Sequence, residues 1–134
     1  MKTLSAVITA FLVSAVLLVV SAPAHAAYPK SISSSCSATS SKLYIKPSTA
    51  PRVAFSATAA AGNGTPTGTV KVSYIRKSTG KVVKLYKRSY SGGVRVYTGP
   101  KLGRGSYVVK VVLMTPSTSV FKNCRDYARQ IVRR

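Results

Sequence analysis

Between Arg52 and Met114 the chain runs as short segments with an apolar residue at every second position, each closed by Gly, Pro, Ser or Asn. A period of two cannot line one side of a helix, but it puts one face of a pleated strand against a core. Val53, Phe55 and Ala57 share one face of Arg52 to Thr58, and Arg52, Ala54 and Ser56 share the other. Val70, Val72 and Tyr74 form the inward side of Thr69 to Lys77, after a loop dense in breakers from Gly62 to Gly68. Ser78-Thr79-Gly80 turns the chain into Lys81 to Tyr90, and Ser91-Gly92-Gly93 turns it again. Val94, Val96 and Thr98 then mark the next inward face. Ser106 to Met114 is the most apolar run, with Tyr107, Val109, Val111 and Leu113 toward the core and Lys110 away from it. Apolar residues on both faces are expected of a central strand. Before these runs, Leu43-Tyr44-Ile45 is a short strand ended by Pro47. After them, Lys122 to Val132 supplies the last strand, with a helix as the alternative. The pattern predicts an all-β fold, a single sandwich of about seven to eight antiparallel strands.

Residues 1–26 read as a cleaved signal peptide: Lys2, an apolar stretch from Leu4 to Val20, and the small-x-small site Ala24-His25-Ala26. An uncleaved anchor is the alternative. Residues 27–134 are then the mature domain, with 27–32 as a loose N-terminal arm. Export makes the protein secreted, extracellular or cell-wall associated, with no transmembrane segment in the mature chain. It also places Cys36 and Cys124, the only cysteines, where a disulfide forms.

The chain carries 21 Lys and Arg against one Asp or Glu, a formal net charge of +20. The acid is Asp126, and the only histidine, His25, leaves with the leader. General acid–base catalysis needs a group that titrates near the working pH, and none remains. Paired carboxylates for glycoside hydrolysis, a Ser-His-Asp triad and a metal ligand set are all missing. Asp126 lies between Arg125 and Arg129, which predicts a local ion pair. No enzyme activity, cofactor or metal is expected.

The stretch Thr65-Pro66-Thr67-Gly68-Thr69-Val70-Lys71-Val72, with Leu102 and then Gly105-Ser106-Tyr107-Val108-Val109-Lys110-Val111, is similar to bacterial immunoglobulin-like domains. In that family a Pro-x-Gly-x-Val segment opens one strand and a Leu-x-x-Gly-x-Tyr-x-Val segment a later one. The resemblance extends loosely from Ser33 to Val132 and implies an immunoglobulin-like sandwich. It implies that the first and last strands run parallel at a sheet edge, with Cys36 and Cys124 as neighbours. Tyr107 takes the position of a tyrosine corner, or is a half-buried strand aromatic. There is no Trp, and apolar residues such as Phe55 and Val109 replace the inter-sheet cysteines of antibody domains. Family members serve as spacers, adhesive modules or carbohydrate-associated accessories.

Basic residues thicken between Lys71 and Arg88, and the candidate anion-binding set is Lys71, Arg76, Lys77, Lys81, Lys84, Lys87, Arg88 and Lys110. Arg76, Lys77 and Lys81 flank the turn at Gly80 and are expected to project from one hairpin tip. The resemblance implies that Lys71 and Lys110 share an exposed sheet face. Arg129, Arg133 and Arg134 form a second cluster, and Tyr86, Tyr90 and Tyr97 offer flat contacts to bases or sugars. Such charge draws polyanions in a salt-dependent way. A cell-wall polymer, an acidic polysaccharide or extracellular DNA would serve; no recognition helix for sequence-specific nucleic acid is visible. Two alternatives stand beside polyanion binding. One is a structural or interaction domain docking an acidic protein partner; the other is a basic bias that serves solubility alone.

Overall fold

A computed structural model describes residues 30–62 and 64–134; the signal-peptide assignment and the first part of the arm lie outside the described residues. The described chain is all-β. Its strands are β1 (Ser34–Ser40), β2 (Tyr44–Ile45), β3 (Arg52–Ala59), β4 (Gly68–Arg76), β5 (Val82–Tyr90), β6 (Arg95–Thr98), β7 (Gly105–Met114) and β8 (Cys124–Val132). They form a three-stranded sheet, β1-β3-β6, and a five-stranded sheet, β2-β8-β7-β4-β5. Face to face, the two make a β-sandwich. The apolar run Gly105–Met114 occupies the middle of the broad sheet, where both its neighbours are strands. The segment from Lys122 that could have been helical is strand β8, antiparallel to β7 along its whole length.

Alternation fills the core as the sequence predicts for most strands. Val53 and Phe55 of β3, Val70, Val72 and Tyr74 of β4, and Tyr107, Val109, Val111 and Leu113 of β7 are buried. Each such Val, Leu or Phe contributes about 1.5–3 kcal/mol by leaving water. The Phe55 and Tyr90 rings meet edge to face, 5.1 Å between centroids. At β6 the parity is the reverse of the expectation. Tyr97 stands opposite Val53 and is buried, whereas Val94 and Val96 are exposed. The pairing with β3 sets that register, and the aromatic ring buries more apolar area than a valine would.

The disulfide Cys36–Cys124 forms, with Cα atoms 5.5 Å apart, but not by the expected arrangement. β1 does not pair with the last strand; it pairs antiparallel with β3, and β2 is the strand that runs parallel to β8. The bond therefore crosses from one sheet to the other. Polar contacts repeat the crossing along the same edge. Ala38 N–H donates to the Asp126 carboxylate at 2.7 Å, and the Ser40 hydroxyl donates to the Arg129 carbonyl at 2.6 Å. Buried Gln130 donates from Nε2 to the carbonyls of Lys42 and Leu43, fixing the connection between β1 and β2. Ile32, within the segment read as an arm, forms a parallel bridge with Phe121.

Close approaches explain the glycines at two points. Gly68 opens β4 at φ +155°, and a Cβ there would strike the Met114 carbonyl oxygen. A Cβ on Gly99 would fall 2.6 Å from the Tyr74 hydroxyl. Tyr74 is fully buried and its ring stacks on Tyr86 at 6.3 Å, so it cannot yield. Its hydroxyl makes no hydrogen bond among the described residues. Gly99→Ala is thus expected to destabilise by about 1–3 kcal/mol, the usual cost of overpacking. Tyr74→Phe removes only the hydroxyl, so alone it should be neutral or stabilising. The ring carbons Cε2 and Cζ stay 2.9 and 3.0 Å from the added Cβ, so it should relieve Gly99→Ala only in part. Denaturant midpoints of the double-mutant cycle test this; additive effects would contradict the proposed clash.

Candidate binding face

Strand alternation and register distribute the predicted basic residues over separate surfaces. In the broad sheet Lys71 stands opposite Lys87 on β5 and opposite Val112 on β7, and Val112 stands opposite Arg125 on β8. One step along, Leu85, Ser73, Lys110 and Tyr127 form the next row, and Val108 with Arg129 belongs to the one after. All lie on the side of the sheet away from the core, because along their strands they alternate with buried Val70, Val72, Val109, Val111 and Ala128. Lys71, Lys87, Lys110, Arg125 and Arg129 thus share the outer face of the five-stranded sheet. Neighbouring strands lie about 4.8 Å apart and successive rows about 7 Å. Adjacent cations therefore sit within about one Debye length at physiological salt, and their potentials add.

The other predicted residues go elsewhere. Lys77 and Lys81 are exposed at the β4–β5 turn, as expected of a hairpin tip. Arg76 is not. Its guanidinium folds back over the Tyr107 ring at 5.4 Å, donates to the Tyr107 hydroxyl at 3.1 Å and reaches the Arg104 carbonyl. The Tyr107 hydroxyl in turn donates to the Gly103 carbonyl at 2.6 Å, the bond a tyrosine corner makes. Lys84 and Arg88 stand opposite Tyr74 and Val70, so they lie on the other side of β5 from Lys87. Arg88 rests against the Tyr86 ring at 5.2 Å.

Asp126 also differs from expectation. Positions an odd number of residues apart on a strand face opposite ways, so Arg125 and Arg129 point outward while Asp126 points toward β1. The predicted ion pair does not form, and the carboxylate holds the Ala38 amide instead. The outer face consequently carries no side-chain carboxylate among the described residues.

The tyrosines expected as platforms are committed to the fold. Tyr90 and Tyr97 are buried, with hydroxyls donating to the Gly93 and Ser89 carbonyls, and Tyr86 is half-buried on Tyr74. Burial pushes the Tyr74, Tyr86 and Tyr97 hydroxyls above the ordinary tyrosine range, so none adds a negative charge near neutral pH. The exposed aromatics are Tyr127, in the cationic face, and Tyr44, over whose ring Arg133 stacks at 3.9 Å. Sequence reasoning did not assign Arg125 or Tyr127 to the face. Their signal was the alternation around Cys124, which becomes usable once β8 is a strand.

No cluster of three or more His, Cys, Asp or Glu able to hold a metal ion exists among the described residues. No helix among them is long and apolar enough to cross a membrane. These features define a disulfide-linked β-sandwich with one broad, cation-bearing sheet face. No protein-family model matches the chain, and no curated protein matches it either.

Proposed function

We propose that this chain is a secreted, non-catalytic, immunoglobulin-like module that binds an anionic polymer or surface through the outer face of its five-stranded sheet. The Tyr107 corner and the two-sheet sandwich support the immunoglobulin-like assignment. One observation carries the binding assignment: Lys71 and Lys87 are direct cross-strand neighbours, with no carboxylate between or beside them. Like charges opposite one another destabilise a sheet by a few tenths of a kcal/mol to about 1 kcal/mol. A solubilising surface would intersperse both signs, whereas this one concentrates a single sign at a cost in stability. An anionic ligand removes that cost on binding. Tyr127 and Leu85, between the cations, give such a polymer flat apolar contact.

The test is retention of the purified protein on anionic wall polymer, DNA and neutral polysaccharide across a salt series. If four cations each displace a counterion, affinity for the anionic polymers should fall about 10²-fold between 50 and 200 mM salt. Equal retention on neutral polysaccharide, or retention indifferent to salt, would overturn the proposal.

A further inference from the structure

Among the described residues, β5 is the outer strand whose edge is both long and open. β2 has two residues and β6 four, while β1 is joined to β8 by the disulfide and the Asp126 and Ser40 contacts. Among the described residues β5 pairs only with β4; a register shift leaves Val83 unpaired, so the regular part of its edge runs from Lys84 to Tyr90. An unpaired edge of that length is a template for another strand.

The hydrogen-bond phase of the sheet shows which backbone groups are free. Arg76 N–H donates to the Lys81 carbonyl, and Lys77 N–H donates to the Ser106 carbonyl. Even-numbered residues of β4 therefore bond toward β5 and odd-numbered ones toward β7. Leu85, Lys87 and Ser89 stand opposite the odd-numbered Ser73, Lys71 and Thr69, so they direct their N–H and C=O groups off the sheet. Side chains already cover part of that row. The Tyr97 hydroxyl donates to the Ser89 carbonyl at 3.1 Å, and the Arg88 guanidinium donates to the Lys87 carbonyl at 3.0 Å. Toward the start of the strand, Leu85 has no such cover among the described residues. There the apolar side chains are also bare: Val82 is 54% exposed and Leu85 49%.

We infer that the edge of β5 around Leu85, just past the irregularity at Val83, receives an extended acidic segment of a partner protein as an added strand. Charge selects the occupant. Lys81, Lys84 and Lys87 flank the open groups, and a second copy of β5 would bring the same cations without a single carboxylate. A strand carrying Asp or Glu, with apolar residues to cover Val82 and Leu85, satisfies the backbone, the charge and the exposed apolar area together. This inference rests on the backbone edge; it shares Lys87 and Leu85 with the polyanion-binding face, and the need for backbone donors separates the two.

The probe is a labelled Asp-Val-Glu-Val-Glu-Val-Asp peptide, compared with the same peptide N-methylated at two consecutive central residues. The methylated form keeps the charge and side chains but loses a donor on each of its edges. It should bind about tenfold more weakly or worse, and only the unmethylated peptide should slow hydrogen exchange at the Leu85 amide. Leu85→Pro, which removes an off-edge donor and leaves the β4 ladder intact, should reproduce the loss. Equal binding of the two peptides, or unchanged exchange at Leu85, would overturn the inference and leave only charge attraction.

Discussion

The variant Lys71→Glu, Lys110→Glu, Arg125→Glu is expected to lose affinity for an anionic polymer by about 10²–10³-fold near 100 mM salt. Its salt slope should drop by about one for each cation removed. The informative comparison is Lys77→Glu, Lys81→Glu, Lys84→Glu, which changes net charge by the same amount. That set lies at the hairpin tip and on the opposite side of β5, so it should weaken binding less than about tenfold through the long-range field alone. All these side chains are exposed or half-buried on strand surfaces and a turn, so both variants should melt within a few degrees of the parent. If the two variants lose affinity equally, net charge and not the face is responsible. If the tip variant loses more, the binding surface is the hairpin.

Cys36→Ser with Cys124→Ser is expected to cost about 2–5 kcal/mol. The bond joins residues 88 apart, a loop to which the chain-entropy account assigns about 4.6 kcal/mol. Against a total stability of about 5–15 kcal/mol this is a large share, and it should lower the melting temperature by about 10–25 °C. The native arrangement should survive at low temperature. Ala38 N–H on the Asp126 carboxylate and the Ser40 hydroxyl on the Arg129 carbonyl hold β1 across to β8 without the covalent bond. Thermal melts of the double variant, with near-UV spectra below the transition, test both parts. A melting shift under about 3 °C would contradict the loop-closure account.

The sequence was most legible where alternation was clean and buried area was large. β3, β4 and β7 carry valines, Phe55 and two tyrosines on every second position, and those residues are the core. The parity of β6 is not legible locally, because Val94 and Val96 compete with Tyr97 and only the pairing with β3 decides which set turns inward. The place of Arg76 is hidden for a different reason: its partners, Arg104 and Tyr107, lie on a loop and strand that the topology, not the local pattern, brings near. Lys71 and Lys110 share a face because β4 pairs with β7, as the family resemblance implied. Arg125 needed β8 to be a strand as well. Asp126 shows the same dependence, since Arg125 and Arg129 are its neighbours along the chain but not across the strand.

The covalent link between β1 and β8 also decides how the domain meets tension. A pull applied between the N-terminal arm and the C-terminal tail passes from Cys36 straight to Cys124, so the strands between them bear little of the load. Only chain outside the link can peel away, and on the C-terminal side that chain includes β8 beyond Cys124. If the module tethers a cell or a polymer, Lys71, Lys87 and Lys110, which lie inside the link, stay assembled under drag that would unravel an uncrosslinked sandwich.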